Sequence, residues 1–299
     1  MSPAGLEITS AAVGARCRPF SVSLSPRETM NYAAGLNDNN PCYFDDTRPE
    51  GILAHPMLAV ALTWPLSAGL EDTWDKGGIP PEARARQVHY NESIVWHRCM
   101  RPDERLAISG EIRALLPHPA GTLAAIRYDA LGPGGDPAFT EHITGLLRGV
   151  TLPGGGAGGE GVPAIGRGPE GLGGAWEQAI EIAPLAAHLY DACSQISFPI
   201  HTSRAFAQQM GLPGTIYHGT ATLGLAIREI LNREGGSDPR RLAEVHCGFR
   251  GMVLPGSTVT LAIRGTELET KVKTVYFDVR TAAGEMAIRD GRAVLKRTP

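Results

Sequence analysis

The sequence repeats itself once, about halfway along its 299 residues. When the chain is displaced by 158 positions, three landmarks of the first half fall on the same residue types in the second half. These landmarks are Pro26 with Pro184, Tyr32 with Tyr190, and Pro41 with Pro199. Each half also has a histidine at the start of an apolar run, His55 in the first and His218 in the second. Self-similarity at a fixed offset predicts two copies of one structural unit, in agreement with a length of about two domains.

A glycine-rich segment separates the two copies. Residues 152–174 contain 11 glycines among 23 residues, together with three prolines. Such a segment buries too little apolar surface to offset the conformational entropy that it would lose on ordering. We therefore predict a first domain over residues 1–151, a linker over residues 152–174, and a second domain over residues 175–299 that carries the site.

The same order of elements is predicted in both halves. A short strand leads into a helical segment that contains the tyrosine, and a polar loop then precedes a long apolar helix. This helix is predicted over residues 56–70 in the first half and 219–231 in the second. Strands with alternating apolar and polar residues complete each unit, and in the second half they are predicted over residues 243–252, 258–265, 269–281 and 285–295. A long helix wrapped by a curled antiparallel sheet is the α+β hot-dog fold, so the predicted class is a double hot-dog.

Composition and local sequence patterns limit the kinds of binding partner and the cellular compartment that are expected for this chain. A net charge of −3 gives no basic surface for nucleic acid. No apolar run reaches the roughly 20 residues of a membrane-spanning helix, and the N-terminus lacks the pattern of a signal peptide. The five cysteines include no C-x-x-C pair, which argues against a disulfide framework or a zinc site. We therefore expect a cytoplasmic protein that binds no nucleic acid, membrane or metal ion.

Each half carries a motif loop ahead of its long helix. The first loop and the helix start after it read Asp38-Asn39-Asn40-Pro41-Cys42-Tyr43 and His55-Pro56. The second pair of segments reads Ser194-Gln195-Ile196-Ser197-Phe198-Pro199-Ile200-His201 and His218-Gly219. In these residues the chain resembles the MaoC-like dehydratases, which include the R-specific enoyl-CoA hydratases, in their double hot-dog form.

The resemblance implies a hydro-lyase that needs no cofactor. Its substrate would be a β-hydroxyacyl or enoyl thioester of coenzyme A or of a carrier protein. The resemblance also implies that two double hot-dogs can form a homodimer. In that family an Asp and a His of one motif hold a water molecule, and an Asn orients the set. The glycine N–H after the second His supports the oxyanion of the thioester. A fixed donor and a positioned base are what this chemistry requires.

The first half keeps only part of that set. Asp38 and Asn40 occupy the Asp and Asn positions, but Tyr43 replaces the His. Pro56 replaces the glycine, and proline has no N–H to donate to an oxyanion. An Asp in a polar loop also commonly caps the next turn, so a structural role for Asp38 stays open.

The second half keeps the complementary part. His201 and Gly219 are present, but Ile196 and Phe198 stand where the Asp and Asn would be. On the resemblance we predict that His201 is the acid/base and that Gly219 donates its N–H to the oxyanion. Ser194 is a candidate for substrate binding, together with other polar residues that could orient His201.

Three alternatives stay open at this stage. A degenerate hot-dog would bind acyl thioesters or support a partner subunit without turnover. A thioesterase would need a carboxylate or an activated water near the thioester carbonyl, which the second motif does not offer. In the third alternative, Asp38 and His201 meet across the two halves as a composite pair. A metal site at His89 and His97 lacks a third ligand.

Overall fold

One antiparallel sheet of eleven strands runs through both halves of the chain in the computed structural model, which describes residues 6–69, 74–75 and 78–298. Ten of its strands belong to the two halves, and one short strand lies in the segment between them. A separate two-stranded pair lies outside this sheet. The strands are β1 (Leu6–Glu7), β2 (Phe20–Ser23), β3 (Gln87–Trp96), β4 (Arg105–His118), β5 (Gly121–Leu131), β6 (Pro137–Arg148), β7 (Val150–Thr151), β8 (Ala157–Gly158), β9 (Trp176–Glu181), β10 (Leu242–Phe249), β11 (Thr258–Leu268), β12 (Val272–Thr281) and β13 (Met286–Lys296).

Helices and short 3-10 turns precede the long strands in each half. The helices are α1 (Pro26–Gly35), α2 (Ala59–Ala68), α3 (Pro81–Arg84), α4 (Ala186–Ser194), α5 (Arg204–Gln209) and α6 (Gly219–Glu234). The 3-10 turns cover Ser10–Ala12, Pro41–Tyr43, Pro56–Leu58, Pro199–His201 and Pro239–Arg241. None of the described helices is long and apolar enough to cross a membrane.

The order of strands in the second half mirrors that in the first. The sheet runs β2-β4-β5-β6-β3 and continues β10-β13-β12-β11-β9. The two halves join where β3 pairs antiparallel with β10, and this register places Glu92 opposite Cys247. Glu92, near the middle of β3, therefore lies at the boundary between the two halves, although it is far from β10 in sequence.

The two central helices differ in length. α2 is shorter than the predicted helix and contains Pro65, which has no N–H to donate to the preceding turn. It ends three residues later, where the N–H of Gly69 bonds to the carbonyl of Pro65 at 3.1 Å. α6 has 16 residues and buries Leu223 and Ile227 completely. The second half thus has the longer central helix, and its first residue is Gly219.

The glycine-rich segment contacts both halves. β8 pairs with β4 of the first half, so that Ala157 lies opposite Leu115. Farther along, the carbonyl of Gly173 accepts a hydrogen bond of 2.9 Å from the N–H of Thr266 on β11. The chain then enters β9, the edge strand of the second half.

Candidate active site

The two tyrosines that mark the repeat meet where the halves join. The hydroxyl oxygens of Tyr32 and Tyr190 lie 3.0 Å apart, and both side chains are fully buried. Tyr190 also donates a hydrogen bond of 3.2 Å to Oγ1 of Thr220, in the first turn of α6. Burial, the main cause, raises the pKa of Tyr190 to about 12. Both hydroxyls therefore keep their protons at neutral pH and tie the halves together beside the start of α6.

His201 presents one free ring nitrogen. Its Nδ1 lies 2.9 Å from the carbonyl oxygen of Ile216. Because a carbonyl only accepts, the proton is on Nδ1 and the lone pair is on Nε2. Burial lowers the pKa of His201, an effect that the hydrogen bond to Ile216 and the charge of Asp191 partly oppose. The imidazole is therefore neutral near pH 7 and can take up a proton at Nε2.

His218 places the His201 ring against the start of α6. The two rings stack with centroids 3.6 Å apart and planes inclined by 21°. Nε2 of His218 donates to the carbonyl of Ile196 at 3.1 Å, and burial lowers the pKa of His218 to about 3. His218 is the N-cap residue of α6, and no side chain of the described residues caps the helix there. The N–H of Gly219 thus points out of the helix at its positive end, where an anion is favoured.

Ser194 shapes the loop that leads to His201. Its hydroxyl donates to the carbonyl of Tyr190 at 2.6 Å and accepts from the N–H of Ile196 at 3.2 Å. These two backbone contacts turn the chain at the end of α4. Ser194 therefore has a structural role in this loop. Its contact with substrate stays a prediction.

The motif loop of the second half offers no polar group in place of the family's Asp and Asn. Ile196 is buried and Phe198 is 41% exposed, with its ring centroid 6.5 Å from that of His201. Oδ2 of Asp191 lies 4.0 Å from Nε2 of His218, and the charge of Asp191 acts on the pKa of His201. No residue of this loop supplies a second acid.

The first motif loop is a closed structural network. Nδ1 of His55 accepts the N–H of Met57 at 3.1 Å, so its Nε2 carries the proton and faces Oδ2 of Asp38 at 3.6 Å. Oδ1 of Asp38 accepts from the N–H of Asn40 at 3.2 Å, as expected for a residue that caps a turn. Among the described residues, no hydrogen bond or ion pair joins Asp38 to His201. Asp38 and His201 therefore belong to separate hydrogen-bond networks, and the described residues do not form the composite pair.

Residues of the second half brace this first loop. Arg228 on α6 donates to the carbonyls of Leu36 and Asn37, at 2.7 and 3.1 Å. The amide of Asn40 donates to the carbonyl of Ser237 at 2.6 Å. Asn40 therefore links the two halves in this structure.

The burial of His55 predicts an acid-sensitive fold. Burial lowers the pKa of His55 to about 3, whereas the unfolded chain titrates near the ordinary value of 6.5. As the pH falls from 6.5 toward 3, the unfolded state binds a proton that the folded state does not, so stability is lost. His55→Asn keeps a capping oxygen but no titrating ring. We expect the slope of unfolding free energy against pH to flatten by about 1.4 kcal/mol per pH unit in this range.

This slope is measured by urea unfolding at a series of pH values. The variant is expected to be less stable at pH 7, because the His55 ring packs against Tyr32 and Tyr43 with centroids 5.7 and 5.2 Å away. An unchanged slope between pH 6.5 and 4.5 would contradict the assignment of a neutral, buried His55.

Two buried carboxyl groups were missed by the reasoning from sequence. Glu92 on β3 and Glu141 on β6 are both fully buried, and burial raises the pKa of each carboxyl well above its usual range. The signal in the sequence was the alternation along β3, where Glu92 shares a face with Ile94 and Trp96. A charged residue on an apolar face is a candidate functional residue.

The chain is similar in sequence to known proteins. Residues 174–286 match the family described as MaoC like domain. The chain is 27% identical over 274 residues to the enoyl-CoA hydratase ChsH3 of Mycobacterium tuberculosis, a match that covers 84% of this chain and 87% of that protein. It is 45% identical over 83 residues to the fatty acid synthase subunit beta of Aspergillus oryzae. That match covers 27% of this chain and only 4% of the subunit, so the chain spans a small part of that relative.

Solved structures show the same fold. A MaoC-like dehydratase of Phytophthora capsici superposes with a TM-score of 0.82, at 18% identity, over 97% of this chain and 98% of that one. A Mycobacterium tuberculosis protein described as a double hot-dog superposes with a TM-score of 0.62, at 15% identity, over 94% and 96% of the two chains. The protein is therefore a double hot-dog, as predicted. The match of residues 174–286 to the MaoC like domain confirms the predicted resemblance and supports the hydro-lyase class.

Proposed function

We propose that this protein is a hydro-lyase that interconverts a β-hydroxyacyl thioester and its enoyl thioester, with His201 as the acid/base. The observation that carries the proposal is the bond from Nδ1 of His201 to the carbonyl of Ile216. It leaves Nε2 free as a base, while the stacked His218 sets the ring beside the first N–H of α6.

The dehydration step follows from this arrangement. Nε2 of His201 removes the proton on the carbon next to the thioester carbonyl. The carbonyl oxygen gains negative charge, which the N–H of Gly219 and the positive end of α6 stabilise. His201 returns that proton to the β-hydroxyl, the C–O bond at the β-carbon breaks, the double bond forms and water leaves. Hydration is the same sequence in reverse.

The substrate class is part of this proposal. The match to a protein named enoyl-CoA hydratase supports a coenzyme A thioester, and the match to fatty acid synthase beta subunits supports an acyl chain on a carrier. Ser194 is kept as a candidate contact near the acyl thioester. No group of three His, Cys, Asp or Glu side chains in the described part of the chain could hold a metal ion, and the proposed steps use only side chains and backbone groups.

A second candidate is an acyl-thioester-binding protein without turnover. Ile196 and Phe198 favour it, because they put apolar groups where the family's water would be held. A binder of this kind would retain the fold and bind the thioester but would not interconvert the two species.

The test is turnover of a panel of 3-hydroxyacyl and 2-enoyl coenzyme A thioesters in water labelled with oxygen-18. A hydro-lyase interconverts the two species and places the label on the β-hydroxyl. A thioesterase releases free thiol and places the label in the carboxylate, and a binder does neither although calorimetry detects the ligand. We expect label on the β-hydroxyl for at least one chain length. Binding without label on any thioester would overturn the proposal in favour of the second candidate.

A further inference from the structure

A buried carboxylate oxygen lies beside the histidine pair without a hydrogen-bond partner. It is Oδ2 of Asp191 on α4, and it lies 4.0 Å from Nε2 of His218, too far for a hydrogen bond. The Asp191 side chain is only 18% exposed, and in the described part of the chain no lysine or arginine forms an ion pair with it. Buried polar atoms normally have partners, so this arrangement indicates a role for the negative charge itself.

The first half has a similar contact, made by a different acid. There Oδ2 of Asp38, in the motif loop, faces Nε2 of His55 at 3.6 Å. The displacement by 158 positions makes Ile196 the counterpart of Asp38, so the second half has no carboxylate at the motif position. Asp191 faces Nε2 of His218 instead. In both halves a carboxylate therefore lies near the histidine that precedes the central helix, but in the second half it comes from α4.

The fold does not require an acid at residue 191. The counterpart of Asp191 in the first half is Ala33 on α1, which is fully buried. The counterpart of His201 is Tyr43, which has no basic nitrogen. The acid on the helix and the motif histidine therefore occur together, in the same half of the repeat.

The other titratable groups around His201 are neutral. His218 stacks on His201, and burial lowers the pKa of His218 to about 3. The rings of Tyr190 and Tyr217 have their centroids 4.9 and 6.3 Å from that of His218. Burial raises the pKa of both tyrosine hydroxyls, so they keep their protons at neutral pH.

Two arginines on neighbouring helices leave the charge of Asp191 in place. Arg204 is the first residue of α5 and is exposed, so solvent screens its charge. Arg228 on α6 forms an ion pair of 2.7 Å with Glu229. The negative charge of Asp191 therefore favours the protonated form of the His201 ring, against the effect of burial.

We infer that Asp191 supplies from α4 the carboxylate that the motif lost at Ile196, and that its charge stabilises His201 while this ring holds the substrate's proton. The inference rests on the proposed function. When Nε2 of His201 takes the proton from the α-carbon, a neutral ring becomes a buried cation, and a nearby carboxylate lowers the free energy of that cation. The proton then passes to the β-hydroxyl, and the ring is neutral again. Asp191 acts only through His201 and is a positioning residue.

The experiment compares two variants of Asp191 with a matched control. Asp191→Asn removes the charge and keeps the shape, and Asp191→Ala copies the first half. Glu269→Gln makes the same change in net charge in the exposed turn between β11 and β12. This turn is at the far end of α6 from the site, because Lys273 on β12 pairs with Glu234, the last residue of the helix.

Two measurements report the state of His201. The first is kcat/KM between about pH 4.5 and 8 on the 3-hydroxyacyl coenzyme A that turns over fastest. The second is NMR of histidine-labelled protein over the same range, in which the His201→Gln spectrum identifies the signal of residue 201. Thermal unfolding of every variant checks the fold.

We expect both Asp191 variants to move the acid limb of the activity profile and the NMR titration of residue 201 to lower pH. The expected shift is about half a unit to one unit, below that of a pair in direct contact. At neutral pH kcat should fall by roughly 3- to 10-fold, because the base binds the proton less tightly. The Glu269→Gln protein should match wild type in every measurement.

A wild-type acid limb and a wild-type titration of residue 201 in both Asp191 variants would overturn the inference, even if the variants are less stable. If His201→Gln is inactive in that case, the proposed function still stands. If wild type converts none of the thioesters, the proposed function fails, and the NMR titration alone decides whether the charge of Asp191 acts on His201.

Discussion

Replacement of His201 by glutamine is expected to lower kcat/KM for dehydration by about 10²- to 10⁴-fold, the usual contribution of a general acid/base. Gln can still donate to the carbonyl of Ile216, so the loop keeps the contact that fixes residue 201. It has no nitrogen that accepts a proton, so only the chemical step is removed. Stopped-flow or steady-state assays of enoyl formation measure the loss, and thermal unfolding shows whether the fold is intact.

The matched control is His188→Gln on α4. His188 is exposed, and the same substitution there changes one imidazole without touching the site. We expect its kcat/KM to equal that of wild type. The wild-type pH profile gives a second check, because burial lowers the pKa of His201 and the base must be neutral. Activity should therefore fall on the acid side at a pH below 6.5. A His201→Gln protein as active as the control would rule out His201 as the base.

Replacement of Gly219 by proline is expected to lower kcat by about 10²- to 10³-fold, the typical cost of one oxyanion donor. Proline is well accepted at the first position of a helix, where the N–H has no partner within the helix. The preceding residue must be extended, and His218 already has φ −62° and ψ 136°. The first half provides a natural example, because Pro56 begins the 3-10 turn ahead of α2.

Gly219→Ala is the control for the added volume. A Cβ at residue 219 would lie 3.2 Å from the Phe249 ring in either variant, so both introduce the same close contact. Only proline removes the N–H. We expect the alanine variant to retain at least ten times the kcat of the proline variant. Equal losses in the two would mean that the side-chain volume matters and that the N–H is not the oxyanion donor.

Much of the fold follows from local sequence. The offset between Tyr32 and Tyr190 predicts two copies, and the strands and helices of the second half begin within a few residues of their predicted positions. The length of the first central helix was predicted less well. Local apolar spacing extended it to residue 70, but the missing N–H of Pro65 weakens its last turn, and the helix ends at Ala68.

The site was predictable only in part. Motif positions point to His201 and Gly219 because the signal lies in short segments of sequence, and their roles stay predictions. The role of Asp38 stayed open because its partner His55 is reached through folding of a loop. Glu92 and Glu141 were missed because alternation indicates which face of a strand a residue is on, but not whether that face is covered.

The sequence by itself therefore determined the double hot-dog and the division of the motif between its halves. Repeats and motifs are recorded in residue identity and spacing, which need no knowledge of distant contacts. The tertiary structure decided which nitrogen of His201 is free, because that depends on the carbonyl of Ile216, which reaches the ring only after the chain has turned. It also decided where Glu92 lies, since the pairing of β3 with β10 places this acid of the first half opposite Cys247 of the second half.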